Sequence, residues 1–164
     1  MPRNGAAKPA STTAWSISAV AGVKLRATEL IDIVTTANEV DQYADTIIVS
    51  AANAAGDSYE LDLVVTATRE VSLGEGSSKG LSQDHPLGLT LAPGWHRVSL
   101  TWYAAPTARA EVQIDDGAPI GVPISPDLTN PTVSRAIFGL AYLDGAQSGW
   151  TARLGGAAVE LDPK

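Results

Sequence analysis

The stretch "PGWHRVSLTWYAAPTARAEVQIDDG", residues 93–117, decides the fold. In its first half Val98, Leu100 and Trp102 alternate with Arg97, Ser99, Thr101 and Tyr103. A period of two puts apolar side chains on one face of an extended strand and polar ones on the other. The second half repeats the pattern, with Ala110, Val112 and Ile114 set against Arg109, Glu111, Gln113 and Asp115. Between them "AAPTA" makes a short loop, and Asp116-Gly117 supplies residues that tolerate positive φ in the next turn. The segment reads as an antiparallel hairpin with one buried face.

The same period extends outward. "SYELDLVVTATR" (58–69) places Tyr59, Leu61, Leu63, Val65 and Ala67 on one face, and "DTIIVSAANAAGD" before it is a β-branched run ending in a turn, so 45–69 reads as a second hairpin. "SRAIFGLAYL" (134–143) puts Ala136, Phe138, Leu140 and Tyr142 together, "GWTARLGGAAVELD" (149–162) closes the chain as a Gly-interrupted strand, and "AWSISAV" (14–20) opens it. Residues 24–40 mix helix formers with Val, Ile and Thr, and the all-β surroundings favour a strand. "GEGSSKGLSQDHP" (74–86) has no period and is rich in Gly and Ser, so it is expected to be the longest and most mobile loop. Many short strands between turn signals indicate a sandwich or barrel, and spacing alone does not choose between them. Residues 1–12 are expected to form a flexible lead-in, and 13–164 a single domain that starts with little chain before its first strand.

Composition narrows the roles. The chain has 164 residues, 45% of them hydrophobic and 18% charged, enough apolar material for one core without staples. A net charge of −7 argues against nucleic acid and anionic membranes, which need clustered cations. The absence of cysteine removes disulfides, thiol chemistry and cysteine-ligated metals. No run approaches the roughly 18 apolar residues of a membrane helix. The basic N-terminus "MPRNGAAKPASTT" lacks the apolar core of a signal peptide.

"GWHRVSLTW" followed by "AEVQIDDG" resembles the central hairpin of concanavalin A-like and laminin G-like jelly rolls, in which a Trp-His opening precedes an alternating strand and the next strand ends at Asp-Gly. The residues that carry the likeness are Trp95, His96, Asp116 and Gly117. "FGLAYLDG" with the later "SGW" resembles the closing strands of bacterial carbohydrate-binding sandwiches, so the likeness covers roughly 45–162. It implies an all-β, two-sheet antiparallel β-sandwich of the jelly-roll type. A location outside the cell, on a cell surface or in a virion, is favoured over action where the chain is made, and the sequence does not decide between them. Relatives of this kind often hold a structural calcium through an Asp in the last strand. Here Gly155-Gly156 stands in that place, so neither calcium nor any other cofactor is expected.

The function expected from these features is a non-catalytic binding module for a glycan or polysaccharide. An alternative is a structural or adhesion protein that assembles with a protein partner or with copies of itself. A glycoside hydrolase or lyase ranks third. Some jelly-roll glycosidases use Glu-x-Asp-x-Glu on a strand, and Glu60 and Asp62 begin such a pattern, but Val64 occupies the third position. Candidate ligand contacts are exposed aromatics, which stack on sugar rings, and polar groups that bind hydroxyls. They are Trp95, Tyr103, Arg97, Arg109, Glu111 and Gln113 on the hairpin's polar side, with Tyr43 and His85 elsewhere. Trp150, at a strand end, is a further aromatic of this kind, whereas His96 reads as a structural histidine and Trp102, Tyr59 and Phe138 as core.

Overall fold

A computed structural model describes residues 15–20, 24–34, 43–103, 108–129, 133–144 and 151–162. The expected lead-in at 1–12, the "AAPTA" tip at 104–107, the tail of the 24–40 segment and Trp150 lie outside these residues. Among the described residues the chain forms only strands: β1 (Trp15–Val20), β2 (Lys24–Ile33), β3 (Tyr43–Ala52), β4 (Ser58–Thr66), β5 (Glu70–Ser77), β6 (Ser82–Thr90), β7 (His96–Tyr103), β8 (Arg109–Ile114), β9 (Ile120–Pro123), β10 (Val133–Asp144) and β11 (Ala152–Asp162). They pair antiparallel as a six-stranded sheet, β1-β10-β3-β4-β5-β6, and a five-stranded sheet, β11-β2-β7-β8-β9. The fold is a two-sheet jelly-roll sandwich, and β2 is a strand as its β-branched content suggests.

The opening stretch forms β7 and β8, with Val98 opposite Ile114, Leu100 opposite Val112 and Trp102 opposite Ala110. Val98, Leu100 and Val112 are fully buried, as are Tyr59, Leu61, Leu63 and Val65 of β4 in the facing sheet. The rings of Tyr59 and Trp102 meet across the core with centroids 5.7 Å apart. Full burial of one such aliphatic side chain stabilises the fold by about 1.5–3 kcal/mol.

Two expectations need correction. The positive φ after β8 falls on Asp115 (φ 51) rather than on Asp116 or Gly117. Asp115 bears it because its carboxylate accepts from the Arg97 backbone N–H at 2.8 Å and from the His96 ring at 2.8 Å. Gly117 is needed for space instead, since a Cβ there would sit 3.1 Å from the Ile114 carbonyl oxygen. Residues 74–86, read as a mobile loop, form the end of β5, a tight turn and much of β6. Their period is hidden because β5 turns Gly74 and Gly76 outward and the polar Glu75 inward.

The core also encloses an acid. Glu29 lies opposite Val98 on the inner side of β2 and is only 2% exposed. Burial pushes its carboxyl up to about 8, although the Gly139 N–H at the β10 bulge donates to it and opposes the shift.

Candidate functional site

Pairing of β11, β2, β7 and β8 builds the outer face of the five-stranded sheet row by row. Arg153 lies beside Asp32, and Gly155, Leu30 and Arg97 form the next row. Thr28, Ser99 and Gln113 follow, then Arg26, Thr101 and Glu111, and finally Lys24, Tyr103 and Arg109. At about 3.4 Å per residue, the face runs roughly 27 Å from Trp95 to Tyr103.

At one end Trp95 is 51% exposed, and its ring reaches β11, where a Cβ at Gly155 would touch it at 4.0 Å. The Arg153 guanidinium lies 5.6 Å from the indole centre and is held by the buried Asp32 through Nε at 3.1 Å and through Nη2. Arg97 pairs with Asp116 on the other flank. Beneath it, His96 sets both ring nitrogens against acceptors, Asp115 at 2.8 Å and the Ala92 carbonyl at 2.9 Å, which only the imidazolium satisfies. Burial alone would lower its pKa, but these acceptors raise it overall, while the His96 hydrogen bond lowers that of Asp115.

At the other end the Tyr103 hydroxyl donates to Glu111 at 2.9 Å, and the Arg109 guanidinium covers its ring at 3.7 Å while also donating to Glu111. The Lys24 ammonium lies 5.7 Å from the same ring. Arg26 donates to Gln113 at 2.9 Å and to Ser99 at 3.4 Å. A small depression of about 80 Å³ opens between Arg26, Thr101, Tyr103, Glu111 and Gln113.

Six of the eight expected contact residues therefore share one surface: Trp95, Tyr103, Arg97, Arg109, Glu111 and Gln113. The other two do not join it. Tyr43 starts β3 in the other sheet, opposite Thr66. His85 sits on the core side of the edge strand β6, with Nε2 2.9 Å from the buried Glu75. Glu75 also accepts from the Tyr59 hydroxyl and the Ser125 backbone N–H, each at 2.7 Å, and so fastens the connection after β9. Burial first, and then Glu75, raise the Tyr59 pKa. Sequence reading missed Arg26, Arg153 and Asp32. Lys24, Arg26 and Thr28 do alternate in "KLRAT", but only long-range pairing brings them beside the hairpin.

The outer face of the six-stranded sheet gathers carboxylates. Glu60 lies between Ser50 and Gly76, Asp62 between Ile48 and Gly74, and the register puts Asp45 beside Val64. Asp45 and Asp62 are each 3% exposed. The neighbouring strand thus brings an acid next to the position where Val64 interrupts the Glu-x-Asp-x-Glu pattern. Among the described residues no group of three or more His, Asp or Glu is placed to hold a metal ion. Gly155-Gly156 lies in a bulge of β11, with Gly156 at φ +56.

No family model matches the chain, and no curated protein does. Solved structures do. An alginate lyase in complex with an alginate tetrasaccharide superposes with a TM-score of 0.56 at 10% identity, over 92% of this chain and 74% of that one. Sheep galectin-11 in complex with glycerol matches with a TM-score of 0.52 at 9% identity, over 89% and 96%. A protein of unknown function from Saccharomyces cerevisiae matches with a TM-score of 0.51 at 10% identity, over 91% and 74%. At these identities the likeness is one of fold: the chain shares the jelly-roll sandwich of a lectin and of a polysaccharide lyase.

Proposed function

We propose that this protein is a non-catalytic glycan-binding module that holds its ligand along the outer face of the five-stranded sheet. The observation that carries the reading is the half-exposed Trp95, laid towards Gly155 and flanked by the Arg153–Asp32 and Arg97–Asp116 pairs. An exposed indole offers a flat apolar surface to the C–H face of a sugar, and fixed guanidinium and carboxylate groups bind hydroxyls around it. Tyr103 acts differently from Trp95. With Arg109 over its ring, it contributes its edge and the Glu111 carboxylate rather than a stacking face. The shared sandwich supports a carbohydrate-related role without choosing one, because a single fold hosts many functions.

The test is retention on immobilised polysaccharides and a glycan array, with wild type compared with Trp95→Ala. Wild type is expected to be retained on at least one polysaccharide, and the variant to lose that retention while melting at nearly the same temperature. Absence of retention on every glycan, or retention unaffected by Trp95→Ala, overturns the reading.

A second reading, polysaccharide cleavage on the outer face of the six-stranded sheet, is favoured by the placement of Asp45 beside Val64 with Glu60 and Asp62 on the same face. Its test is release of reducing or unsaturated ends from a polysaccharide panel. Activity abolished by Asp62→Asn supports it, and no activity, or activity unchanged in that variant, overturns it.

A further inference from the structure

The outer face of the five-stranded sheet carries Lys24, Arg26, Arg97, Arg109 and Arg153, a concentration of cations in a chain of net charge −7. Arg97, Arg109 and Arg153 each pair with a carboxylate, Asp116, Glu111 and Asp32 respectively. Arg26 is different. Its Nη2 donates to two neutral oxygens, those of Gln113 and Ser99, and its Nε is buried with no acceptor among the described residues. Glu160, its register neighbour on β11, is exposed and makes no ion pair with it. A half-buried guanidinium without a counter-charge costs free energy that an arriving anion offsets.

Arg26 lines this depression, whose volume of about 80 Å³ has room for a single small group of a longer molecule and not for a whole ligand. Lys24 and the Thr101 hydroxyl line it too. The one carboxylate there, Glu111, already accepts from Tyr103 and Arg109. Arginine suits an oxyanion because its planar fork matches carboxylate and sulfate geometry.

We propose that this depression is a subsite for an acidic sugar, whose oxyanion, a uronate carboxylate or a sulfate ester, pairs with Arg26. The inference rests on the glycan-binding reading and narrows it to anionic polysaccharides. A neutral saccharide can offer Arg26 hydroxyl acceptors but no counter-charge.

Calorimetric titration of the full chain tests it with three probes: an oligogalacturonate, the same oligosaccharide with its carboxyl groups reduced, and a sulfated galactan oligosaccharide. At least one acidic probe is expected to bind about tenfold or more tighter than the reduced one, with an affinity that falls as salt rises. Preference for the first or third probe identifies the carboxylate or the sulfate ester as the bound group. Arg26→Gln is expected to remove most of that preference, costing the acidic probe much more affinity than the reduced one. Equal affinity for acidic and reduced probes, or an equal loss for both in Arg26→Gln, overturns the proposal and leaves glycan binding standing. Failure of all three probes, together with an empty glycan array, removes both. If thermal unfolding shows that Arg26→Gln does not fold, the comparison of acidic and reduced probes on wild type decides alone.

Discussion

Two tyrosine–glutamate pairs in this molecule have nearly the same chemistry and opposite surroundings. Tyr59 donates to Glu75 at 2.7 Å inside the sandwich, and Tyr103 donates to Glu111 at 2.9 Å on the outer face of the five-stranded sheet. Glu75 itself is turned inward, against the fully buried Tyr59. The Ser125 N–H and the His85 ring complete its bonding, and its side chain has no exposure. Around Glu111 the neighbours are cations and amides at the rim of an open depression. Enclosed, the pair fastens a crossing segment to the sheet; open, it orders a surface that a ligand can reach. Location decides the role because desolvation makes an enclosed bond expensive to lose, while water replaces an open one.

The contrast is steepest in stability. Glu75→Ala is expected to lower unfolding free energy by about 2–4 kcal/mol, since it leaves the buried Tyr59 hydroxyl without its acceptor and releases the Ser125 N–H. Chemical denaturation measures it, and a loss under about 1 kcal/mol would put the two pairs in the same class. Glu111→Ala, measured alongside, is expected to change stability by less than about 1 kcal/mol.

A pH series comes next in size. The folded-state pKa of Glu29 is raised from the ordinary 4.5 to about 8, so its protonated form contributes stability fully below pH 4.5, and this is lost as pH rises towards 8. Over that window the slope from this one group is up to about 1.4 kcal/mol per pH unit. The raised pKa of His96 acts with the same sign from its ordinary 6.5 upward. Melting temperature is therefore expected to fall between pH 5 and pH 9, and Glu29→Gln to flatten most of the fall. A variant that keeps the full slope would show that Glu29 is not the buried acid responsible. The lowered pKa values of Asp57 and Asp115 act the other way, contributing above the ordinary carboxylate range and fading in acid.

Hydroxyl deletion gives the smallest difference. Tyr59→Phe is expected to cost about 1–2 kcal/mol, and Tyr103→Phe less than about 0.5 kcal/mol. Equal effects in thermal melts would erase the distinction between the enclosed pair and the open one.

How far residues alone carry the reading follows from how local each signal is. The β7–β8 hairpin can be read directly, because Val98, Leu100, Trp102, Val112 and Ile114 alternate without interruption. The β5–β6 hairpin cannot, because Gly74 and Gly76 leave no outward side chain to alternate with, and Glu75 is polar yet buried. The same ambiguity misplaced His85, which looks like a loop residue beside Pro86 and instead faces a buried carboxylate. Six of the expected contact residues came together because one hairpin carries them all. Arg26 and Arg153 escaped because β2–β7 and β11–β2 pairing, far apart in sequence, brings them there.

Amide chemical-shift mapping during titration with an oligogalacturonate separates the two faces of the sandwich. Binding along the five-stranded sheet is expected to move Trp95, Arg97, Thr101, Tyr103, Glu111 and Gln113, and to leave Tyr43, Glu60, Asp62 and Asp84 in place. Shifts confined to the second set, or no shifts with this or any other glycan, would contradict the assignment of the outer face of the five-stranded sheet as the binding surface.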